Sequence, residues 1–190
     1  GKSRAGGFGW WWHTPEDTID KLDPERLTRD CRVYLRLVHE ACTTPVAPLS
    51  YAAPARDLAE RFESWSRQLG EKMNVSILVT RAEELVALLD RLDVAWQERA
   101  TSEAWRTQKL LGRHLMPLEY VAGSVYEHDP ALAQPPVPLL AEIGALVDCE
   151  DEAAVKHHRV SIQRRINHVA WELREACRVA QTALDAMGSA

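Results

Sequence analysis

Between residues 78 and 96 the apolar side chains Leu78, Ala82, Leu85, Leu89, Leu92 and Trp96 recur at alternating spacings of four and three. Only an α-helix, at 3.6 residues per turn, brings side chains so spaced onto one stripe. A stripe this regular is a seam for other helices, so the chain must supply partners for it. A second stripe does so. Val155, Ile162, Ile166, Val169, Leu173, Ala176, Ala180 and Leu184 mark one face of a segment from Glu152 to Met187. As one helix that segment extends roughly 50 Å at ~1.5 Å per residue.

Shorter helices complete the set. Asp23-Pro24 reads as an N-cap followed by proline at the first helical position, and Leu27, Val33 or Tyr34, Leu37 and Val38 carry that helix to about Cys42. A second helix follows Pro54 through Leu58, Phe62, Trp65 and Leu69 and stops at Gly70. Trp105 to Leu115 is helical but less regular, and Leu139 to Val147 forms a short helix. The nearest approach to strand alternation, "NVSILVT", runs directly into the seam helix. The fold class is therefore all-α, with a four-helix-bundle-like domain. The stretch "TTPVAPLSYAAP" has three prolines between Pro45 and Pro54 and no apolar periodicity, which marks a junction between a region 1–45 and a helical domain 54–187.

Charge and cysteine usage exclude several classes of function. The formal charge is −5, and basic residues alternate with acids in "ERLTRDCR" and "IQRRINHVAWELRE", leaving no cationic stripe for a phosphate backbone. Nucleic acid is not an expected partner. There is neither an 18-residue apolar run nor a secretory h-region, so no membrane segment is expected. Cys31, Cys42, Cys149 and Cys177 form no CxxC pair. They read as free thiols acting as small buried hydrophobes, with pairing left open.

The usual catalytic signatures do not occur. "GKS" at Gly1 to Ser3 lacks the upstream half of a P-loop, no Glu-x-x-His pair suits a carboxylate-bridged metal bundle, and neither HExxH nor Gly-x-Ser-x-Gly is present. The adjacent His157 and His158 point about 100° apart on a helix and, with His168, read as surface residues. That leaves "GGFGWWWHTPEDTIDKLDPE", where Trp10, Trp11 and Trp12 run into His13. A neutral imidazole in an aromatic wall is a good metal ligand if carboxylates reach it. Thr14-Pro15 imposes an extended turn beside the ring, and Glu16, Asp17 and Asp20 are its nearest acids.

The run "WWHTPEDTIDKLDPERLTRDCRVYL" resembles the end of the catalytic domain in the zinc-dependent aminopeptidase and carboxypeptidase family that includes glutamate carboxypeptidase. The resemblance implies that His13 is the last ligand of a two-zinc site and that the acidic stretch leads into the closing helix of an α/β peptidase domain. Downstream, the proline break, the "RDLA" helix start and "INHVAWELREACRVAQTAL" resemble the helical domain shared with the transferrin receptor. Residues 1–45 are then the remnant of a peptidase domain, and 54–187 a dimerisation domain. The parent would bind two zinc ions, cleave peptide substrates and form a homodimer. The family's other ligands and its general-base glutamate have no counterpart in these 190 residues, so the chain is expected to hold no catalytic residue, to retain no zinc by itself and to be inactive alone. On this reading Tyr120 to Pro138 faces the substrate cleft. Val86, Leu88, Val160 and Val179, lying outside the narrow seams, await a second copy or are covered within one chain by the proline-rich segment Pro117 to Pro138. Two other readings stand beside it: a free-standing helical interaction module with the tryptophans as docking patch, and an independent metal-binding bundle using the histidines.

Overall fold

The structure is a computed structural model and describes residues 9–99, 101, 103–123 and 134–188. It is all-α, with no strand among the described residues. Its contacts divide the chain into two units, Gly1–Thr44 and Pro45–Ala190.

The first unit contains a 3-10 turn, Ile19–Lys21, and helix α1, Pro24–Thr43. The helix starts where the sequence places it, for the expected reason. The Asp23 carboxylate accepts the backbone N–H groups of Glu25 at 3.0 Å and Arg26 at 3.2 Å, satisfying two donors that have no partner inside the helix. Leu27, Cys31, Tyr34, Leu35, Val38 and Cys42 follow at helical spacing along one face. Yet no residue of α1 is buried.

The second unit holds helices α2 (Ala52–Leu69), α3 (Ser76–Glu98), α4 (Glu103–Tyr120), α5 (Glu142–Asp148) and α6 (Glu152–Gly188). Every residue of the Leu78-to-Trp96 seam is buried, as are Ile162, Ile166, Val169, Leu173, Ala176 and Ala180 of α6. Arg56 of α2 pairs with Asp90 of α3, and Ser50, just before α2, donates to Asp93, so these two helices run antiparallel. Met73, just before α3, lies beside Val160 at one end, and Trp96 beside Met187 at the other, so α3 and α6 run parallel. His114 meets Glu172 while Ala104 lies near Ala183, which sets α4 antiparallel to α6. The lateral order is α2, α3, α6, α4.

This order explains why the apolar faces of α3 and α6 are so wide. Each central helix is packed by two others and needs two stripes. Leu88 is buried, and Val86 and Val179 are partly buried against the same core, so the chain itself accounts for three of the four extra hydrophobes. Only Val160 stands exposed. A 3-10 turn, Pro138–Leu140, touches α4 and α6, while α5 touches α2 and α6. Val137, Leu140, Ile143 and Leu146 fill that side of the bundle and are fully buried.

Three boundaries differ from the sequence reading. α2 begins at Ala52, ahead of Pro54, because a proline in the first turn removes an N–H that has no helical partner there. α4 continues past Leu115 to Tyr120 with Pro117 inside it, held by the buried Leu115 and Leu118 on either side. The segment after Pro45 is no loose linker. Ala47 is buried, and the carboxamide of Gln108 in α4 accepts its N–H at 2.9 Å and donates to the carbonyls of Ala47 and Leu49, both at 3.0 Å.

Candidate functional site

The tryptophan strip of the first unit is a series of tight turns. The Trp12 N–H donates to Gly9 O at 3.1 Å, and the Thr14 N–H and hydroxyl both donate to Trp11 O, at 2.9 and 2.6 Å. His13 itself takes the left-handed conformation, φ +61°, which is uncommon without glycine. The turn is therefore carried by His13 as well as by the Thr14-Pro15 step. A Cβ at Gly9 would lie 2.1 Å from the far edge of the Trp11 ring, so any other residue there would displace that ring.

The His13 ring stacks on Trp12 with centroids 3.9 Å apart and planes inclined by 21°. Trp10 and Trp11 meet edge to face at 6.1 Å. Both His13 and Trp10 are exposed. Of the acids expected near the histidine, Asp17 accepts the His13 backbone N–H at 3.4 Å and does not bond the ring. Asp20 is engaged by Lys21 and the Thr18 hydroxyl, which hold its carboxyl below the usual range.

A zinc pair needs several nitrogen and carboxylate donors converging on two ions. Among the described residues no group of three or more His, Cys, Asp or Glu gathers where an ion could sit. His13 brings one ring nitrogen set and no companion ligand, so the described residues do not by themselves fit a two-zinc site.

The other histidines are arranged differently. His157 and His158 present their rings edge to face at 5.8 Å, without a common focus. His114 and His168 instead flank one carboxylate: Nδ1 of His114 lies 2.7 Å from Glu172 Oε2, and Nε2 of His168 3.7 Å from Oε1. Trp171 stacks on His168 and meets His114 edge-on. This cluster ties α4 to α6. The sequence offered only its intra-helical half, the i,i+4 spacing of His168 and Glu172.

The cysteines require a correction. Only Cys177 is a small buried hydrophobe; Cys31 and Cys42 are exposed and Cys149 is half-buried. All four thiols are free. Burial, with Glu84 adding to it, pushes the Cys177 thiol up to about 12, and its S–H points at Arg81 O, 3.7 Å away. Such a thiol is inert at neutral pH.

Of the segment assigned to the substrate cleft, residues 124–133 lie outside the described residues. Its far end, Val137 and Pro138, is buried in the bundle core, and Val137 is held there in a left-handed conformation, φ +49°. Near its start, burial raises the Glu119 carboxyl above its ordinary value; Arg61 opposes the rise and Asp57 adds to it. A carboxyl raised on folding binds its proton more tightly in the folded state, so ionising it costs stability as pH rises through its range. Glu119→Gln is accordingly expected to raise the melting temperature at neutral pH by a degree or two, roughly half a kcal/mol for a partly exposed group. The gain should disappear below about pH 4, where both side chains are neutral. Thermal melts of the two proteins across that range check it.

Comparison with protein-family models, with curated proteins and with solved structures finds no match to the chain in any of the three.

Proposed function

We propose that the chain is the helical accessory and dimerisation part of a zinc-dependent aminopeptidase or carboxypeptidase. On this reading it contributes His13 as one ligand to a metal site whose other donors lie in a peptidase domain outside these residues. The observation that carries the reading is α1. This helix is capped and strongly amphipathic, starts eleven residues after His13, and buries none of its apolar face. Burying a side chain of the size of valine or leucine stabilises by about 1.5–3 kcal/mol, so a face carrying Leu27, Tyr34, Leu35 and Val38 besides two cysteines is suited to closing a larger domain. The sequence resemblance is what suggests a peptidase for that domain. The homodimer is a proposal on the same footing, with a second copy meeting the helical unit about a two-fold axis.

The test uses the full product of the natural gene. Purified from cells, it should hold two zinc ions per chain and release amino acids from peptides. His13→Ala should reduce the zinc content to one ion or fewer and the turnover by about a thousandfold or more, the scale of an ion that activates the attacking water. Unchanged metal content in His13→Ala, or a wild type without zinc, would overturn the assignment.

The exposed face of α1 also suits a free-standing interaction module, and thiol chemistry separates the two readings. In the isolated 190-residue chain, Cys31 and Cys42 are expected to react with iodoacetamide within minutes at about pH 8, Cys149 more slowly, and Cys177 only after unfolding. In the full gene product, Cys31 and Cys42 should become at least about tenfold slower. Mass spectrometry of the quenched reactions reads all four sites. Equal reactivity of Cys31 in both forms would remove the domain-closing role of α1 and leave the module.

A further inference from the structure

At the end of the bundle where α3 and α6 finish and α4 begins, the helices leave an open groove of about 540 Å³. Its walls are apolar: Trp96 of α3, Ala104 and Leu110 of α4, and Val179, Ala183 and Met187 of α6. Small residues on α6 make the space. Ala183 and Ala186 stand where larger side chains would close it against α4. The size lies within the ~300–1,000 Å³ usual for small-molecule sites, and the gap between helices of a bundle is a common place for one.

The rim carries charge of one dominant sign. Arg99, Arg106 and Arg178 stand round the mouth with a single acid, Glu103, in a chain whose net charge is −5. Glu103 is only loosely engaged, 3.9 Å from Arg106, with both side chains largely exposed. Arg178 shares Glu175 with Arg174. The Arg99 backbone N–H closes α3 on Ala95 O at 2.9 Å, and its guanidinium has no hydrogen bond or ion pair among the described residues. A guanidinium with free donors beside an apolar slot is complementary to an anionic head on an apolar tail.

We infer that this groove binds a single-chain amphiphile with a carboxylate head, a free long-chain fatty acid. The alkyl tail lies along Trp96, Val179 and Ala183, and the carboxylate accepts hydrogen bonds from Arg99 at the mouth. The inference stands apart from the peptidase reading, since neither His13 nor α1 enters it.

Calorimetric titration of the chain with octanoate, decanoate and dodecanoate, each below its micellar concentration, tests it. Affinity should rise about fourfold for every methylene buried, with one site per chain. Dodecyltrimethylammonium should bind at least about tenfold more weakly than dodecanoate, because the charge at the rim is then repulsive. Ala183→Trp fills the slot and should abolish binding. Arg99→Glu, at an exposed helix end that leaves the core untouched, should weaken dodecanoate about tenfold and decides the matter if Ala183→Trp does not fold. No dodecanoate binding by the wild type, full binding by Ala183→Trp, or equal affinity for the cationic chain would each overturn the inference.

Discussion

Phe62→Ala is expected to lower the unfolding free energy of the Pro45–Ala190 unit by about 3–5 kcal/mol. Phe62 is fully buried on α2, with its ring tilted against Trp65 at 5.8 Å. Removing it deletes the largest fully buried side chain of the core and leaves a cavity that rigid neighbouring helices cannot refill. In a unit of this size the midpoint of thermal unfolding should fall by roughly 10 °C or more. Urea titration should show a lower midpoint with an unchanged slope, since the surface exposed on unfolding hardly alters. Leu35→Ala on α1 is the matched control. Leu35 is 70% exposed, so in the isolated chain its loss should cost less than about 0.5 kcal/mol. A large cost there, or a small one at Phe62, would contradict the division between a core-forming unit and an uncovered α1.

Gln108→Leu is the second large effect, expected at about 1–3 kcal/mol. Gln108 is the one buried polar side chain among the described residues, 2% exposed. It serves three backbone groups of the segment between α1 and α2. Leucine matches its bulk but offers no donor or acceptor. The Ala47 N–H would then be buried without a partner, at about 1–3 kcal/mol, while the Ala47 carbonyl keeps the Leu49 N–H, which donates to it at 2.7 Å. The local readout is amide exchange. The Ala47 N–H, which bonds Gln108 Oε1, should exchange many times faster in the variant, while Leu85 and Leu89 keep their protection. If exchange at Ala47 did not change, the carboxamide would not be what holds this segment.

The residues that the sequence placed correctly are those whose signal is local and periodic. Leu78, Leu85 and Leu92 are legible because 3.6-residue periodicity survives any tertiary context, and Asp23-Pro24 because a cap acts within its own turn. Gln108 was not legible. Its partner Ala47 lies 61 residues upstream, and nothing in "RTQKLL" distinguishes a clamp from a solvated glutamine. His114 and Glu172, 58 residues apart, were hidden in the same way. The width of the α3 and α6 stripes was visible, but its cause was not: periodicity counts how many faces a helix must bury and does not say by what. Leu88 and Val179 lie outside the narrow seams, yet Leu88 is buried in the core of the same chain and Val179 is partly buried against it. At His13 the sequence supplied the imidazole and its aromatic neighbours. It could not reveal that Asp17 turns to the backbone N–H and leaves the ring nitrogens to other company.

The parallel pairing of α3 with α6 has a consequence during synthesis. The helix that α3 needs along its second stripe is completed about ninety residues after α3 itself. At 5–20 residues per second, α3 leaves the ribosome and then waits roughly 5–20 seconds for its partner. During that interval α2 can cover only one side, and the stripe intended for α6 remains wet and adhesive. The nascent chain is thus most vulnerable between the emergence of Trp96 and that of Ala183, the period in which a holdase chaperone has something to hold.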